Sequence, residues 1–566
     1  LFAVRGRFQN FARVLIALFF SLFVLPLAIF SYAGQALYHR VFEAYMARDT
    51  VRLGIALRGT LHDWLVAWGG SWVFVALLFA GLPFAFMIFH FTKKASPFLR
   101  HTWPLVPVLA FGGASYAFWV DFVESRSLQA APPDTCFIHG VIHAIHDGVT
   151  GKGWVRRGIS LRTPAPLPPV PIAAHRPNVL LIITESVRAD VSCSLPPPQC
   201  KSRFLDPVAS DRIPLGMATT QTPATFGACM LLWTGMPANV DFRTAHSAPV
   251  LWEVAKAAGY RTAYITSQNL RYDDFGAFVE KSGIDVQVSA MELGDTRDPM
   301  IGAPDERATP KMLDFIKSTP AGTPYFGVLH FSNTHAAYRV ADDLQPFSPH
   351  SDDPLGPIDA FHNQYRNSVL MQERTLANFL AEVRKLPSWD DTVVLFMSDH
   401  GEQFAEHGSR YHNHSLFEEE LRIPGWLIHG KDALTSDQLK ALDSWKTFRA
   451  GSQDFHETVI DLFGVYDAKS TFPFSSLATG HSLLRSEGQG QPLFVATSTA
   501  VWESDESKYG VIEGDKKLFA TVGGYWACFN LRLDPSEHSP TPLWFCKGMD
   551  RELLHEFPDL KPRPGF

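Results

Sequence analysis

The chain has 566 residues, which is enough for a large hydrophobic core and for more than one domain. Its 50 basic and 57 acidic residues give a net charge of −7 with both signs interspersed, so no basic surface predicts a nucleic-acid partner. Hydrophobic residues make up 46% of the chain, but the longest uncharged stretches are concentrated near its N-terminus.

Three uncharged stretches predict membrane-spanning helices. Residues 14–38 and 64–92 contain no Asp, Glu, Lys or Arg, and each exceeds the ~20 apolar residues that cross a bilayer. Residues 102–120 form a third, shorter stretch, for which a buried core helix is the alternative. We predict a transmembrane helical region of about three spans over residues 1–125.

Basic residues predict how these spans are oriented. Arg5 and Arg13 precede the first span, and Lys93 and Arg100 lie between the second and the third. Because basic loops stay on the cytoplasmic side, this arrangement places the chain after Asp121 outside the cell membrane. Basic residues in the outer loop, such as Arg48, argue against this orientation.

The segment after the spans predicts a connector and an exported domain. Residues 126–177 end in a proline-dense stretch with little helix or strand pattern, which is typical of a stiff, extended linker. Two cysteine pairs, Cys193 with Cys200 and Cys528 with Cys546, could each form a disulfide in an oxidising compartment. Unpaired buried thiols are the alternative.

Residues 178–566 predict an α/β domain. Unbroken apolar runs are typical of strands buried on both faces, and here they alternate with helix-like stretches at 250–259 and 367–386. This alternation predicts a largely parallel central sheet. The apolar runs are residues 178–184, 262–266, 325–331, 392–398 and 492–498.

Acids and histidines follow three of these runs. Glu185 follows the first, His330 and His335 lie at the end of the third, and Asp399 with His400 follow the fourth. Parallel sheets carry their sites at the carboxyl ends of the strands, so these side chains predict a metal site. Carboxylate and imidazole ligands suit Zn or Mn better than Ca or Mg. A turn with a helix cap is the alternative for each piece alone.

Residues 219–239 supply a candidate nucleophile, because several threonines precede an apolar, helix-like run. A threonine at a helix N-terminus can be no more than an N-cap. The same position offers backbone N–H groups to a phosphate or sulfate. A threonine hydroxyl activated beside a metal becomes a usable nucleophile.

From residue 177 to the C-terminus the chain resembles the sulfatase branch of the alkaline phosphatase superfamily. The resemblance implies an alkaline phosphatase/sulfatase-like core over residues 178–566. Four motifs carry it in the family's order: 185–190 (ESVRAD), 398–401 (SDHG), 412–419 (HNHSLFEE) and 529–537 (FNLRLDPSE).

The departures from the sulfatase pattern are informative. Counting back from the Thr-Gly pair at 234–235 places Thr225 where sulfatases have the Cys or Ser that becomes formylglycine. Cys229 stands where the modifying machinery needs an Arg, so formylglycine is not expected. Ser186 replaces the second of the usual paired acids, which argues against the family's calcium site.

A threonine nucleophile and N-terminal spans together resemble a narrower group, the phosphoethanolamine and phosphoglycerol transferases of bacterial envelopes, including lipoteichoic acid synthase-like enzymes. The resemblance implies a multi-pass inner-membrane enzyme with its catalytic domain in the periplasm or outside the cell. It would move a phospholipid head group to an envelope glycan or lipid acceptor. The implied ligands of a Zn or Mn ion are Glu185, Thr225, Asp399 and His400.

The same resemblance implies that His335 and His412 contact the phosphate, assist the leaving group or help hold a second metal. Thr222 is the alternative nucleophile, and Glu402 is expected to orient a neighbouring ligand. Two other functions stay open. One is a hydrolase, either a sulfatase or a phosphodiesterase, and the other is an inactive relative that binds lipid or a partner.

Overall fold

The computed structural model describes residues 162–192, 203–270, 275–294, 302–353, 356–500, 507–522 and 524–560, with a few isolated positions before residue 162. None of the helices described is both long and apolar enough to cross a bilayer. Apart from isolated positions, the three predicted spans lie outside the described residues, and they stay predictions. The chain divides into two compact units, residues 1–155 and 156–566.

Every strand described below belongs to the second unit. The strands are β1 (Asn178–Thr184), β2 (Ile213–Pro214), β3 (Met217–Thr219), β4 (Arg261–Thr266), β5 (Val286–Val288), β6 (Tyr325–Phe331), β7 (Thr392–Ser398), β8 (Gln403–Phe404), β9 (Arg410–Tyr411), β10 (Gly425–His429), β11 (Arg449–Gly451), β12 (Leu493–Ala496), β13 (Lys508–Glu513), β14 (Lys516–Thr521) and β15 (Trp526–Asn530).

The α-helices lie between these strands and after them. They are α1 (Asp206–Ala209), α2 (Thr225–Thr234), α3 (Phe242–Ser247), α4 (Leu251–Ala257), α5 (Phe275–Val279), α6 (Asp305–Lys317), α7 (Ile358–Val383), α8 (Glu418–Leu421), α9 (Ser436–Trp445), α10 (Ser452–Leu462) and α11 (Met549–Glu556). Short 3-10 helices are formed by Trp389–Asp391, Tyr466–Thr471, Ser475–Leu477 and Leu543–Cys546.

A seven-stranded sheet lies at the centre, in the order β2-β10-β7-β1-β6-β4-β5. β1, β4, β5, β6 and β7 are parallel, and β10 runs antiparallel to β7 and to β2. The predicted α/β fold with a mostly parallel sheet is confirmed. Alternate side chains of β1 enter different cores: Val179 and Ile183 join one, whereas Leu180 joins the other. Burial on both faces explains the unbroken apolar run.

One predicted central strand belongs elsewhere. The apolar run at 492–498 forms β12, which pairs antiparallel with β13 in a separate four-stranded sheet, β12-β13-β14-β15. β13 and β14 are joined by the two-residue turn Gly514-Asp515, and Gly514 has a φ of +57°. Such a turn produces an antiparallel hairpin, and the apolar run alone does not reveal which sheet it joins. A disulfide between Cys528 and Cys546 ties β15 to the following 3-10 helix.

Helix boundaries differ from the sequence pattern mainly at α7, which begins at Ile358, upstream of the predicted 367. Pro357 precedes its first turn and Asp359 lies within it, and both features favour a helix start. The predicted linker is described only from residue 162, and residues 162–177 contain neither helix nor strand. It is not free there, because buried Arg162 donates to Glu253 Oε1 at 3.0 Å.

Candidate active site

The carboxyl ends of β1 and β7 form the base of the site. Glu185 follows β1, and Asp399 follows β7. The backbone N–H of Asp399 donates to Thr184 O at 3.0 Å. Ser186 has a φ of 55°, and its backbone N–H donates to Asp399 Oδ1 at 2.8 Å. The residue that replaces the family's second acid therefore holds Asp399 through its backbone.

Thr225 is the first residue of α2, and its hydroxyl reaches both neighbouring strands. Its Oγ1 donates to Glu185 Oε1 at 2.8 Å and lies 3.1 Å from His400 Nε2. The N-cap residue of α2 is Ala224, so the alternative that Thr225 serves only as an N-cap is wrong. Thr222 is fully buried, and its Oγ1 has no hydrogen-bond partner among the described residues. Thr225 is thus the hydroxyl that meets the acidic cluster.

His400 is oriented by the backbone. Its Nδ1 lies 2.8 Å from Gly401 O, which can only accept, so Nδ1 carries the proton. Nε2 then faces the two carboxylates, at 3.5 Å from Glu185 Oε1 and 3.5 Å from Asp399 Oδ2. An imidazole held in this way is suited to bind a cation through Nε2.

Two more histidines border the same cluster. The ring centre of His412 lies 4.2 Å from that of His400 and 5.6 Å from that of His335. His412 Nδ1 lies 2.9 Å from Glu402 Oε1, and His335 Nδ1 lies 2.7 Å from Ala336 O. The resemblance gave a catalytic, metal-binding or substrate-binding role to six residues, and the structure brings them together around one point, with Glu402 behind them: Glu185, Thr225, His335, Asp399, His400 and His412.

The donor atoms fit a divalent cation. Two groups each have ligand atoms within 4.8 Å of one another: Glu185 with His335 and His412, and Glu185 with His330 and Asp399. Glu185 Oε2, Asp399 Oδ2 and His330 Nε2 are buried without a hydrogen-bond partner among the described residues. Buried polar atoms are normally paired, so atoms of this kind fit a site that binds a cation.

His330 was one of the strand-end histidines from which the sequence predicted a metal site, but it was not among the residues to which the family resemblance gave a role. It occupies the penultimate position of buried strand β6. Its Nδ1 lies 3.1 Å from Tyr264 OH, which leaves Nε2 for the side of Glu185 and Asp399. The available signal was a histidine inside an otherwise apolar strand. Such a residue is also compatible with a satisfied core histidine, so the sequence could not decide.

Electrostatics show that the cluster needs positive charge. Burial, together with the Glu185 carboxylate, raises the pKa of Asp399 to about 7. Burial opposes ionisation of Glu185, but the hydrogen bond to His400 and nearby histidines hold its pKa well below the usual range. Burial lowers the pKa of His400, but Asp399 and Glu185 outweigh it and raise that pKa to about 10. A bound cation would supply the same compensation.

The sequence matches the Sulfatase family over residues 177–465, which is just over half of the chain. The chain belongs to the sulfatase family. Arylsulfatase K of Danio rerio is 26% identical over 191 residues, which cover 34% of this chain and 32% of that protein. The chain thus matches about a third of the length of this relative.

Solved structures place this sulfatase-family protein in the expected fold. The sulfatase-family structure YidJ of Bacteroides fragilis aligns with a TM-score of 0.51 at 17% identity, over 67% of this chain and 96% of that one. The soluble domain of lipooligosaccharide phosphoethanolamine transferase A from Neisseria meningitidis gives a TM-score of 0.45 at 16% identity, over 56% and 96%. The latter similarity is too low to inform function. The family match identifies a sulfatase-superfamily enzyme.

Proposed function

We propose that this enzyme is a membrane-anchored, metal-dependent phosphotransferase that moves a phospholipid head group through a phospho-Thr225 intermediate. One observation carries the proposal: the Thr225 hydroxyl, at the N-terminus of α2, lies 2.8 Å from Glu185 Oε1 and 3.1 Å from His400 Nε2. A helix N-terminus attracts a phosphate, and the hydroxyl beside it is placed to attack the phosphorus. Cys229 stands where a formylglycine motif needs an Arg, and its side chain is buried in the hydrophobic core.

In the first step, Thr225 Oγ1 attacks the phosphorus of the head group, and the bond from phosphorus to the diacylglycerol oxygen breaks. Glu185 Oε1 accepts the hydrogen bond of this hydroxyl and orients it, and the hydroxyl proton passes to water. His335 or His412, each with a ligand atom within 4.8 Å of one of Glu185, gives a proton to the departing diacylglycerol oxygen. The products are diacylglycerol and a phosphodiester on Thr225.

In the second step, a hydroxyl of an envelope glycan or lipid attacks the phosphorus of phospho-Thr225. The histidine that lost a proton in the first step takes the proton of this hydroxyl, and Thr225 Oγ1 leaves and regains a proton from water. Glu185, Thr225, Asp399 and His400 would hold a Zn or Mn ion, which lowers the pKa of the threonine hydroxyl and neutralises charge on the phosphate.

The proposal places the spans of residues 1–125 in a bacterial-type inner membrane, with the sulfatase-like domain in the periplasm or outside the cell. Anchoring suits a lipid donor, because it confines the search for substrate to the bilayer surface. The disulfide between Cys528 and Cys546 supports an oxidising compartment.

The test is the intact mass of the full chain after incubation with vesicles of phosphatidylethanolamine or phosphatidylglycerol in the presence of Zn²⁺ or Mn²⁺. We expect a mass increase of one phosphoethanolamine or phosphoglycerol group, located on Thr225 by peptide sequencing. Thr225→Ala should abolish the adduct and lower turnover by at least ~10³-fold. Thr222→Ala is the matched control and should keep both. An adduct that survives in Thr225→Ala, or moves with Thr222, would overturn the assignment of the nucleophile.

The second candidate is a hydrolase that uses water as the acceptor, which the Sulfatase family match and the arylsulfatase relative favour. Release of sulfate from an aryl sulfate, measured beside diacylglycerol release from vesicles, separates the two. Faster sulfate release would reject the transferase. Transfer to water alone, with a phospho-Thr225 adduct still formed, would favour a phosphodiesterase.

A further inference from the structure

A short turn after β6 connects two sides of the site. His335 lies at its start and faces the acidic cluster, and Tyr338 lies at its end with a φ of 53°. A bulky side chain rarely adopts this left-handed conformation, which is found mainly where the surroundings enforce it. Gln364 Nε2 donates to Tyr338 O at 3.1 Å and helps to hold the turn.

The strained residue reaches His412 through one intermediary. Tyr338 OH donates to Glu402 Oε2 at 3.0 Å, and Glu402 Oε1 lies 2.9 Å from His412 Nδ1. Glu402 is fully buried, and a buried carboxyl group must be hydrogen-bonded to be tolerated. His412 Nδ1 shares a proton with Glu402, whichever of the two carries it. The other ring nitrogen, Nε2, is therefore the one that can interact with the acidic cluster.

The hydroxyl of Tyr338 is fixed because its ring is packed on several sides. Ring centres of Phe361, Tyr365 and Phe404 lie 5.1, 5.2 and 5.9 Å from that of Tyr338. The ring is 1% exposed. The hydroxyl therefore has a defined position, and the carboxyl group of Glu402 is held between this hydroxyl and His412.

We propose that Tyr338 is a positioning residue that fixes the imidazole of His412 through Glu402. In this way it sets the position of the His412 imidazole relative to that of His335, across the substrate. The inference rests on the proposed function, in which these two histidines exchange protons with the leaving and attacking oxygens. Because the turn carries His335 at one end and Tyr338 at the other, one backbone segment sets the separation of both imidazoles.

The test uses the full chain with its metal in phosphatidylethanolamine or phosphatidylglycerol vesicles, with diacylglycerol release as the measure of turnover. Tyr338→Phe keeps the ring and removes only the hydroxyl. We expect kcat to fall by about 10-fold with KM within about 2-fold, as for loss of a group that orients an active-site imidazole. In a His412→Ala background the same change should cost nothing, because the group it positions is gone.

Tyr325→Phe is the matched control. Tyr325 is also buried and its hydroxyl also contacts a side chain, 3.2 Å to Thr392 Oγ1, but it lies at the opposite end of β6. Tyr325→Phe should leave kcat unchanged in both the wild-type and the His412→Ala background. An equal loss of kcat from Tyr338→Phe with and without His412, or no loss at all, would refute the positioning role.

A second readout needs no turnover. In the metal-free chain, the rate at which diethyl pyrocarbonate labels His412, measured by peptide mass spectrometry, should rise severalfold in Tyr338→Phe and stay constant in Tyr325→Phe. An unchanged labelling rate would contradict the proposal. If the wild-type chain forms no adduct on Thr225 but the labelling rate still rises, the proposed function fails while the positioning of His412 stands.

Discussion

The two ends of the central sheet treat their polar side chains differently. At the amino ends of β1, β6 and β7, Asn178 Nδ2 donates to Asp391 O at 3.1 Å and Asn178 Oδ1 accepts from Tyr325 N at 3.2 Å. Thr392 Oγ1 donates to Ser388 O at 2.6 Å. At the carboxyl ends, Glu185 Oε2, Asp399 Oδ2 and His330 Nε2 have no such partner among the described residues.

The difference separates a structural end from a functional end of one sheet. Buried polar groups cost stability unless they are paired. The amino end of the sheet, where these groups pair with one another, therefore serves only the stability of the fold. An end that leaves buried carboxylates unpaired gives up stability in the metal-free chain and regains it when a cation binds. Substitutions at the two ends should therefore have opposite effects on stability.

The largest effect is expected for Asp399→Asn. It removes a carboxylate whose pKa burial and Glu185 raise to about 7, so the metal-free variant should unfold at a higher temperature than the metal-free wild type. It should also bind less Zn or Mn and lose turnover by at least ~10³-fold. Thermal unfolding with and without a chelator, together with metal content by elemental analysis, measures both effects.

Chelation provides the internal control for that variant. The wild type should lose thermal stability when its metal is removed, whereas Asp399→Asn should change little because it has little metal to lose. If the metal-free variant is less stable than the metal-free wild type, Asp399 stabilises the fold by itself and the contrast between the two ends fails.

Asp305 is an intermediate case and predicts a pH dependence. Its Oδ1 accepts from Ser267 Oγ at 2.6 Å and from Ser332 N at 3.0 Å, whereas Oδ2 has no hydrogen-bond partner among the described residues. Burial raises its pKa to about 7, so the folded chain binds more protons than the unfolded chain between about pH 4 and pH 7. Stability should therefore fall as pH rises through that window, by up to about 1.4 kcal/mol per unit.

Asp305→Asn does not titrate and keeps an oxygen for the two donors. Its unfolding temperature relative to the wild type should be higher at pH 8 than at pH 5, as followed by tryptophan fluorescence of the metal-free proteins. A constant difference across this range would show that Asp305 titrates elsewhere. Asp305 belongs to neither candidate ligand set. A pH-dependent difference in stability at Asp305 would therefore show that an unpaired carboxylate oxygen at the carboxyl end of the sheet need not be a metal ligand.

The sheet could be predicted from the sequence because β1, β4, β6 and β7 are buried on both faces, and such strands appear as unbroken apolar runs. β12 could not be assigned to its sheet, because burial of residues 493–496 says nothing about which neighbour pairs with them. β10 runs antiparallel at Gly425–His429, and its short apolar stretch gave no sign of its direction.

Within the site, the residues next to strand ends could be predicted because parallel strands bring their carboxyl ends together. Thr225 could be placed only by resemblance, since several hydroxyls precede α2 and the sequence does not show which one meets Glu185. Tyr338 gave no signal at all. Its contribution depends on a left-handed backbone and on a hydrogen bond to Glu402, distant in the chain, and neither is visible in residue types.

The smallest effect is expected for Tyr325→Phe at the structural end. The change removes the contact between Tyr325 OH and Thr392 Oγ1, but Thr392 still donates to Ser388 O, so no buried group is left unpaired. The cost should be about 1 kcal/mol of unfolding free energy, with turnover and metal content unchanged. Thermal unfolding of the chelated proteins checks it beside Asp399→Asn. Opposite signs for the two variants would confirm that one sheet has an end built for stability and an end built for ligands, and equal signs would refute it.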